Sequence, residues 1–145
     1  MNRQIQIIQE LKDGNKRFLE GKSLQSSQSS LRKLKEFAKS GQLPKAIVLC
    51  CSDSRAPVEM IFDQDIGDLF VIRVAGNIVA PSLVGSVEFA AGTFGTSLVL
   101  VMVHTQCGAV TATLNQIENP QAFSIDNIRV RYIPAEHAKA KAPAK

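Results

Sequence analysis

The chain has 145 residues, is 45% hydrophobic and 21% charged, and carries a net charge of +4, as expected of one soluble domain large enough to bury a core. The positive excess is not gathered around the chemistry-bearing residues, tryptophan is absent and tyrosine occurs once, so nucleic-acid binding is not expected. No apolar run approaches the ~18–20 residues of a membrane span, Arg3, Glu10 and Asp13 interrupt any secretory leader, and three cysteines do not make a disulfide framework, so a reducing, cytoplasmic setting away from membranes is expected.

In chain order, Ile7, Ile8, Leu11, Phe18 and Leu19 recur at helical spacing, with Gly21 as the stop. Ser23 to Ser30 reads as a polar loop. Ser30 is expected to cap a second helix that turns Leu31, Leu34, Phe37 and Ala38 inward and ends at Gly41. Ala46-Ile47-Val48-Leu49-Cys50 predicts a strand buried on both faces. Leu69 to Val74 predicts a second strand, in which Arg73 calls for an ion pair or an end position. Ser82 to Phe94 predicts a helix with Leu83, Val84, Val87, Ala90, Ala91 and Phe94 apolar; Gly85 and Gly92 share a face and permit close backbone approach. Leu98 to Val103 predicts the third strand, Ala109 to Ile117 a helix, and Ile125 to Ala138 another, interrupted at Pro134. Strands alternating with helices predict an α/β fold, a central mostly parallel sheet flanked by helices. The domain is expected to run over 1–138, with 139–145 as a disordered basic tail.

Two clusters carry the chemistry. Cys51-Ser52-Asp53-Ser54-Arg55 comes directly after the first strand, and His104-Thr105-Gln106-Cys107-Gly108 after the third. Open parallel sheets bind ligands at the carboxyl ends of their strands, and the ends of neighbouring strands lie about 5 Å apart. Thiolate and imidazole suit zinc, which takes four ligands in a tetrahedron. His104 and Cys107, spaced i, i+3, can share one turn; Cys51 is a third ligand, and the fourth position falls to water or Asp53. A zinc-bound water can be acidified to a pKa of about 7. Arg55 can clamp Asp53 bidentately, holding the carboxylate off the metal with an oxygen left to orient the water. Gly108 reads equally as a helix-start glycine or as an N–H donor to a developing anion. Cys50 reads as a small buried hydrophobe and His137 as a solvated surface residue. No zinc-finger spacing occurs, so a DNA-reading finger is not expected.

These residues resemble the β-class carbonic anhydrases, over roughly Leu11 to Ala138. Cys51-Ser-Asp-Ser-Arg55 and His104-x-x-Cys107-Gly108 are similar to that family's two signature motifs. Gly14-Asn15-Lys-Arg-Phe18, Ile61-Phe62-Asp63, Gly67-Asp68-Leu69-Phe70, Arg73, Ala75-Gly76-Asn77 and Gly85-Ser-Val-Glu88 also correspond. The resemblance implies zinc-dependent, reversible hydration of carbon dioxide to bicarbonate and a proton, with Cys51, His104 and Cys107 as ligands. It makes Asp53 a switchable fourth ligand paired with Arg55 and gives the Gly108 N–H to the substrate. It further implies a homodimer or higher homo-oligomer, with Gln42 reaching bicarbonate across the interface and Phe70 and Ala75 lining an apolar pocket for the gas. Three positions depart from the pattern. Val103 stands where the family usually has Gly before the metal histidine, and a β-branched residue resists φ > 0. Val74 replaces an Asn, and Phe89 replaces a more usual Tyr. The family pattern continues beyond this chain's last residue, so the last strand and C-terminal helices are expected to be lacking. Two alternatives stay open: a zinc-stabilised homologue without turnover, acting as a binding or regulatory protein, and hydrolysis of carbon disulfide or carbonyl sulfide by similar ligands.

Overall fold

The computed structural model describes residues 2–25 and 27–119, with the side chains of 27–29 left out. The helix expected over 125–138 and the tail 139–145 lie outside the described residues. The chain forms two compact units, Met1–Val103 and His104–Lys145. The first holds α1 (Arg3–Leu19), α2 (Ser27–Ser40), β1 (Ala46–Cys50), α3 (Val58–Ile61), β2 (Leu69–Arg73), a 3-10 turn (Ala75–Asn77), α4 (Pro81–Phe94) and β3 (Val99–Met102); the second holds α5 (Gly108–Glu118).

The sheet is parallel, in the order β2-β1-β3. β1 is central, and all five of its residues are buried, as a continuous apolar run between two helical layers must be. Side chains alternate across a strand. Ala46, Val48 and Cys50 join Leu69, and with Ile7 and Leu11 of α1 and Val58 of α3 they make the core of one face. Burial pushes the Cys50 thiol above its ordinary value, in keeping with a small apolar core residue. On the other face α4 packs against β2 and β1, while Val99 and Val101 of β3 stay exposed.

The helices start and stop for local reasons. Asn2 caps α1 through Oδ1, which accepts the Gln4 N–H at 3.1 Å. Pro81 opens α4, where its missing N–H costs nothing. Gly41 ends α2 with φ +79 and donates its N–H to Phe37 O at 3.0 Å.

Four expectations need correction. α2 begins at Ser27, and Ser30 lies within it, its hydroxyl donating to Asp65 Oδ1 at 2.7 Å. A capping hydroxyl accepts a backbone N–H, whereas this one donates to an ionised carboxylate, a charge-assisted bond. Leu31 and Leu34 are exposed and so is Ala38; Phe37 alone of the expected four turns inward, its ring lying over Gly67. The helix expected from Ser82 begins one residue earlier, at Pro81, and of its apolar residues Ala90 is the buried one. Gly85 and Gly92 have open space where a Cβ would stand, so neither marks a close approach among the described residues.

Close approach occurs instead at Gly14. A Cβ there would meet the Phe62 carbonyl oxygen at 1.8 Å, because α1 lies directly on the end of α3, and Asn15 Nδ2 donates to Ile61 O at 3.0 Å beside it. Backbone cannot yield as a flexible side chain can. Gly14→Ala is therefore expected to destabilise the fold by about 1–3 kcal/mol or more, read as a lower urea midpoint, whereas Gly85→Ala leaves the midpoint unchanged or raised. Equal midpoints for the two variants would contradict this packing.

Candidate metal centre

The last register pairs, Cys50 with Arg73 and Cys50 with Met102, align the carboxyl ends of all three strands. In an order of this kind the topological switch point falls between the first and third strands, where open sheets bind ligands. Cys51 is the first residue beyond β1 and is buried. Its Sγ accepts the Gly76 N–H at 3.3 Å; an amide aimed at sulfur suits a thiolate, the form that ligates metal. Gly76 takes φ 70 to present that amide, a conformation glycine adopts without strain.

Asp53 and Arg55 form a bidentate pair. Arg55 Nε donates to Asp53 Oδ1 at 2.9 Å and Nη2 to Oδ2 at 2.7 Å, while the Arg55 backbone N–H also reaches Oδ1 at 2.9 Å. The guanidinium is more than half exposed and the carboxylate is largely sheltered. Exposure makes the pair's contribution to stability small, so its effect lies in orienting the carboxylate.

Arg73 takes the second of the two situations expected for it, an end position. It closes β2 and donates from Nε to Cys51 O at 3.0 Å and from Nη2 to Asp53 O at 2.7 Å. Asn77, in the left-handed region at φ 57, donates from Nδ2 to Met102 O at 2.6 Å and reaches Leu49 O at 3.5 Å, which ties the end of β3 to the end of β1. Sequence reading gave neither residue this bracing role. The signal was available: polar side chains at the end of an apolar strand and just past it must find backbone acceptors.

In the second unit, His104 and Cys107 are half-buried and Gly108 is exposed. His104 Nδ1 lies 2.9 Å from Thr105 O. A carbonyl accepts, so Nδ1 carries the proton and Nε2 is the ligating atom of that tautomer. Gln106 takes the left-handed φ of 54 that turns the chain, Cys107 is the N-cap of α5 and Gly108 its first residue. Cys51, His104 and Cys107 are a group that could hold a metal ion. Two thiolates and an imidazole fit zinc in donor type and neutralise its charge.

The departures from the family pattern cause no strain among the described residues. Val103 is not one of the positive-φ residues. Val74 is extended at φ −150, with its N–H on Cys50 O at 3.1 Å and its carbonyl accepting Ser52 N–H at 3.3 Å. Phe89 packs edge-on to Phe94 with ring centroids 5.6 Å apart.

Gln42 and Phe70 are not gathered beside Cys51, whereas Ala75 directly precedes the Gly76 N–H that reaches the Cys51 sulfur. Gln42 precedes β1, at the strand end opposite Cys51. Phe70 pairs in register with Ile47, near that same end, and its ring sits 6.3 Å from Phe89 and 6.0 Å from Phe94. Ala75 is near the carboxyl ends but exposed. A polar cavity of about 340 Å³ also lies at the amino ends, lined by Lys45, Asp63, Gln64 and Asp68 among others. Arg17 pairs there with Asp63, and Lys45 lies within ion-pair distance of Glu10 and Asp68. Burial alone would raise the Asp63 carboxyl, but hydrogen bonds from Ser23, Arg17 and the Leu24 N–H overcome it and hold the group below its ordinary value.

Comparison with known proteins agrees with this arrangement. The family model for carbonic anhydrase matches residues 46–145. The carbonic anhydrase of Mycolicibacterium smegmatis is 42% identical over 114 residues, covering 79% of this chain and 54% of that protein. Carbonic anhydrase 2 of Mycobacterium tuberculosis is 41% identical over 109 residues, covering 75% and 52%. The chain thus spans about half the length of the curated relatives it matches. The crystal structure of the β-carbonic anhydrase CafA of Aspergillus fumigatus superposes with a TM-score of 0.55 at 35% identity, over 61% of this chain and 43% of that one. With the parallel sheet, the cysteine, histidine and cysteine that could hold a metal, and a family match over more than half its length, this chain belongs to the β-carbonic anhydrase family.

Proposed function

We propose that Cys51, His104 and Cys107 hold a zinc ion and that the site hydrates carbon dioxide reversibly to bicarbonate and a proton. The observation that carries the reading is the Asp53–Arg55 clamp two residues beyond a buried cysteine. A closed structural site needs no such pair; one that must orient a water does. Zinc bound there supplies the Lewis acidity that makes water nucleophilic near neutral pH.

The chain's own residues do the rest. Asp53, fixed by Arg55, retains lone pairs that accept a hydrogen bond from the reacting water and aim its own lone pair at carbon. Among the described residues His104 is the one histidine, so the released proton leaves through Asp53 or directly to buffer. The Gly108 N–H, at the start of α5, favours the anion formed as bicarbonate develops. Ala75, near the carboxyl ends, takes the apolar gas. Gln42 and Phe70, at the opposite strand end, serve this site only from a second copy of the chain, so the working form is a homodimer or larger. Thiol ligation requires reduced cysteines, which suits a cytoplasmic setting; among the described residues no helix is long and apolar enough to cross a membrane.

The test is stopped-flow carbon dioxide hydration on the purified chain with its zinc quantified. Expected are one zinc per chain, a rate removed by chelation and its return on adding zinc. Stoichiometric zinc with no rate at any pH would overturn the catalytic reading in favour of a zinc-stabilised binding protein.

A further inference from the structure

We infer that Arg73 is a positioning residue whose guanidinium sets the geometry of the Cys51–Asp53 loop, an inference that rests on the zinc-hydratase reading above. The two acceptors it takes are the backbone carbonyls of Cys51, at 3.0 Å, and of Asp53, at 2.7 Å. One belongs to a ligand residue and the other to the residue that orients water. The guanidinium is a rigid planar fork, so fixing two carbonyls by Nε and Nη2 also fixes their separation.

The loop has backbone restraints of its own. It leaves the sheet after Cys50, keeping one further ladder-like bond from Ser52 N–H to Val74 O at 3.3 Å. The Asp53 carbonyl also accepts Ala56 N–H at 3.0 Å, which closes the turn. Asp53 is therefore held twice by guanidinium groups, at its carbonyl by Arg73 and at its carboxylate by Arg55. Neither grip alone fixes both where the residue sits and where its carboxylate points. Arg73 makes no ion pair among the described residues, so its donors go to the loop and not to a surface carboxylate.

Lysine at this position keeps the charge but has a single donor centre, which cannot reproduce the fork. The experiment compares Arg73→Lys and Arg73→Gln with the unmodified full chain, each loaded with zinc for kinetics and with cobalt(II) for visible spectroscopy. Both variants are expected to bind one metal per chain and to melt near the unmodified temperature. Their kcat falls by about tenfold to a hundredfold, the loss attached to misplacement of order 1 Å, with KM unchanged. Their cobalt band positions shift, Arg73→Lys less than Arg73→Gln. Unaltered bands and kcat in both variants overturn the inference, as does parallel loss of metal and melting temperature in both, which is the mark of a role in folding alone. An unmodified chain that takes up no cobalt and hydrates no carbon dioxide overturns the functional reading, and this inference with it.

Discussion

Cys107→Ala is expected to lose both metal and activity. On the proposed ligand set it removes one of three protein ligands and one of the two negative charges that would neutralise the ion. Affinity should fall by more than the ~10–100-fold typical of losing a residue that merely supports a ligand, enough to leave the purified variant without zinc. The hydration rate then drops to the buffer background. Cys107 caps α5 without a side-chain hydrogen bond, so alanine leaves the helix start intact and the loss reports ligation. Cys50→Ala is the matched control. Cys50 is fully buried among Val48, Val58 and Leu69, so truncation there costs about 1–2 kcal/mol of stability through the space it opens, while zinc and rate persist. Zinc content and stopped-flow rates on the two proteins decide the matter: a Cys107→Ala protein that keeps stoichiometric zinc and full rate would refute the ligand set.

The contrast between these neighbouring thiols was legible in the sequence, because position relative to a strand end is legible. Five consecutive apolar residues announce β1, so Cys50 belongs to the strand and Cys51 to the loop at its carboxyl end. The same logic located His104, Cys107 and Gly108 after β3; Arg73, for which an ion pair or an end position was expected, closes β2. Helix faces were read less well. Periodicity identifies an apolar stripe but not what covers it. Leu31 and Leu34 of α2 and Val84 of α4 belong to such stripes and are exposed in the chain taken alone. Gly85 and Gly92 failed as markers of close approach for the same reason, while Gly14 owes its place to a contact with Phe62 that no local pattern contains. α3 and the 3-10 turn at Ala75–Asn77 are too short to leave a periodic trace. That turn nonetheless supplies the Gly76 N–H to Cys51 and the Asn77 amide between strand ends. Gln42 and Phe70 mark another limit. Their roles came from resemblance; Phe70 pairs with Ile47 near the far end of the strands and Gln42 precedes β1, away from Cys51.

Arg55→Ala is expected to retain zinc and lose most of the rate. The ligands are untouched, so metal content stays at one per chain. The carboxylate of Asp53 loses both guanidinium contacts, at 2.7 and 2.9 Å, and keeps the backbone N–H of residue 55 at 2.9 Å. Without the guanidinium the carboxylate is held less firmly, and a bound cation beside Cys51 attracts it strongly. Swung toward the metal, the carboxylate fills the position that water needs. The fall in kcat is about a hundredfold, the scale of losing a positioned catalytic group, while stability barely changes because the pair is exposed. Arg55→Lys should recover part of the rate, since an ammonium offsets the carboxylate's charge but cannot grip both oxygens. Asp53→Ala separates the two contributions: it also loses the oriented acceptor, but nothing remains to occupy the water's position. Combining it with Arg55→Ala should therefore cost little beyond the single change. Additive losses in the double variant would mean that Arg55 acts on the substrate directly and not through Asp53.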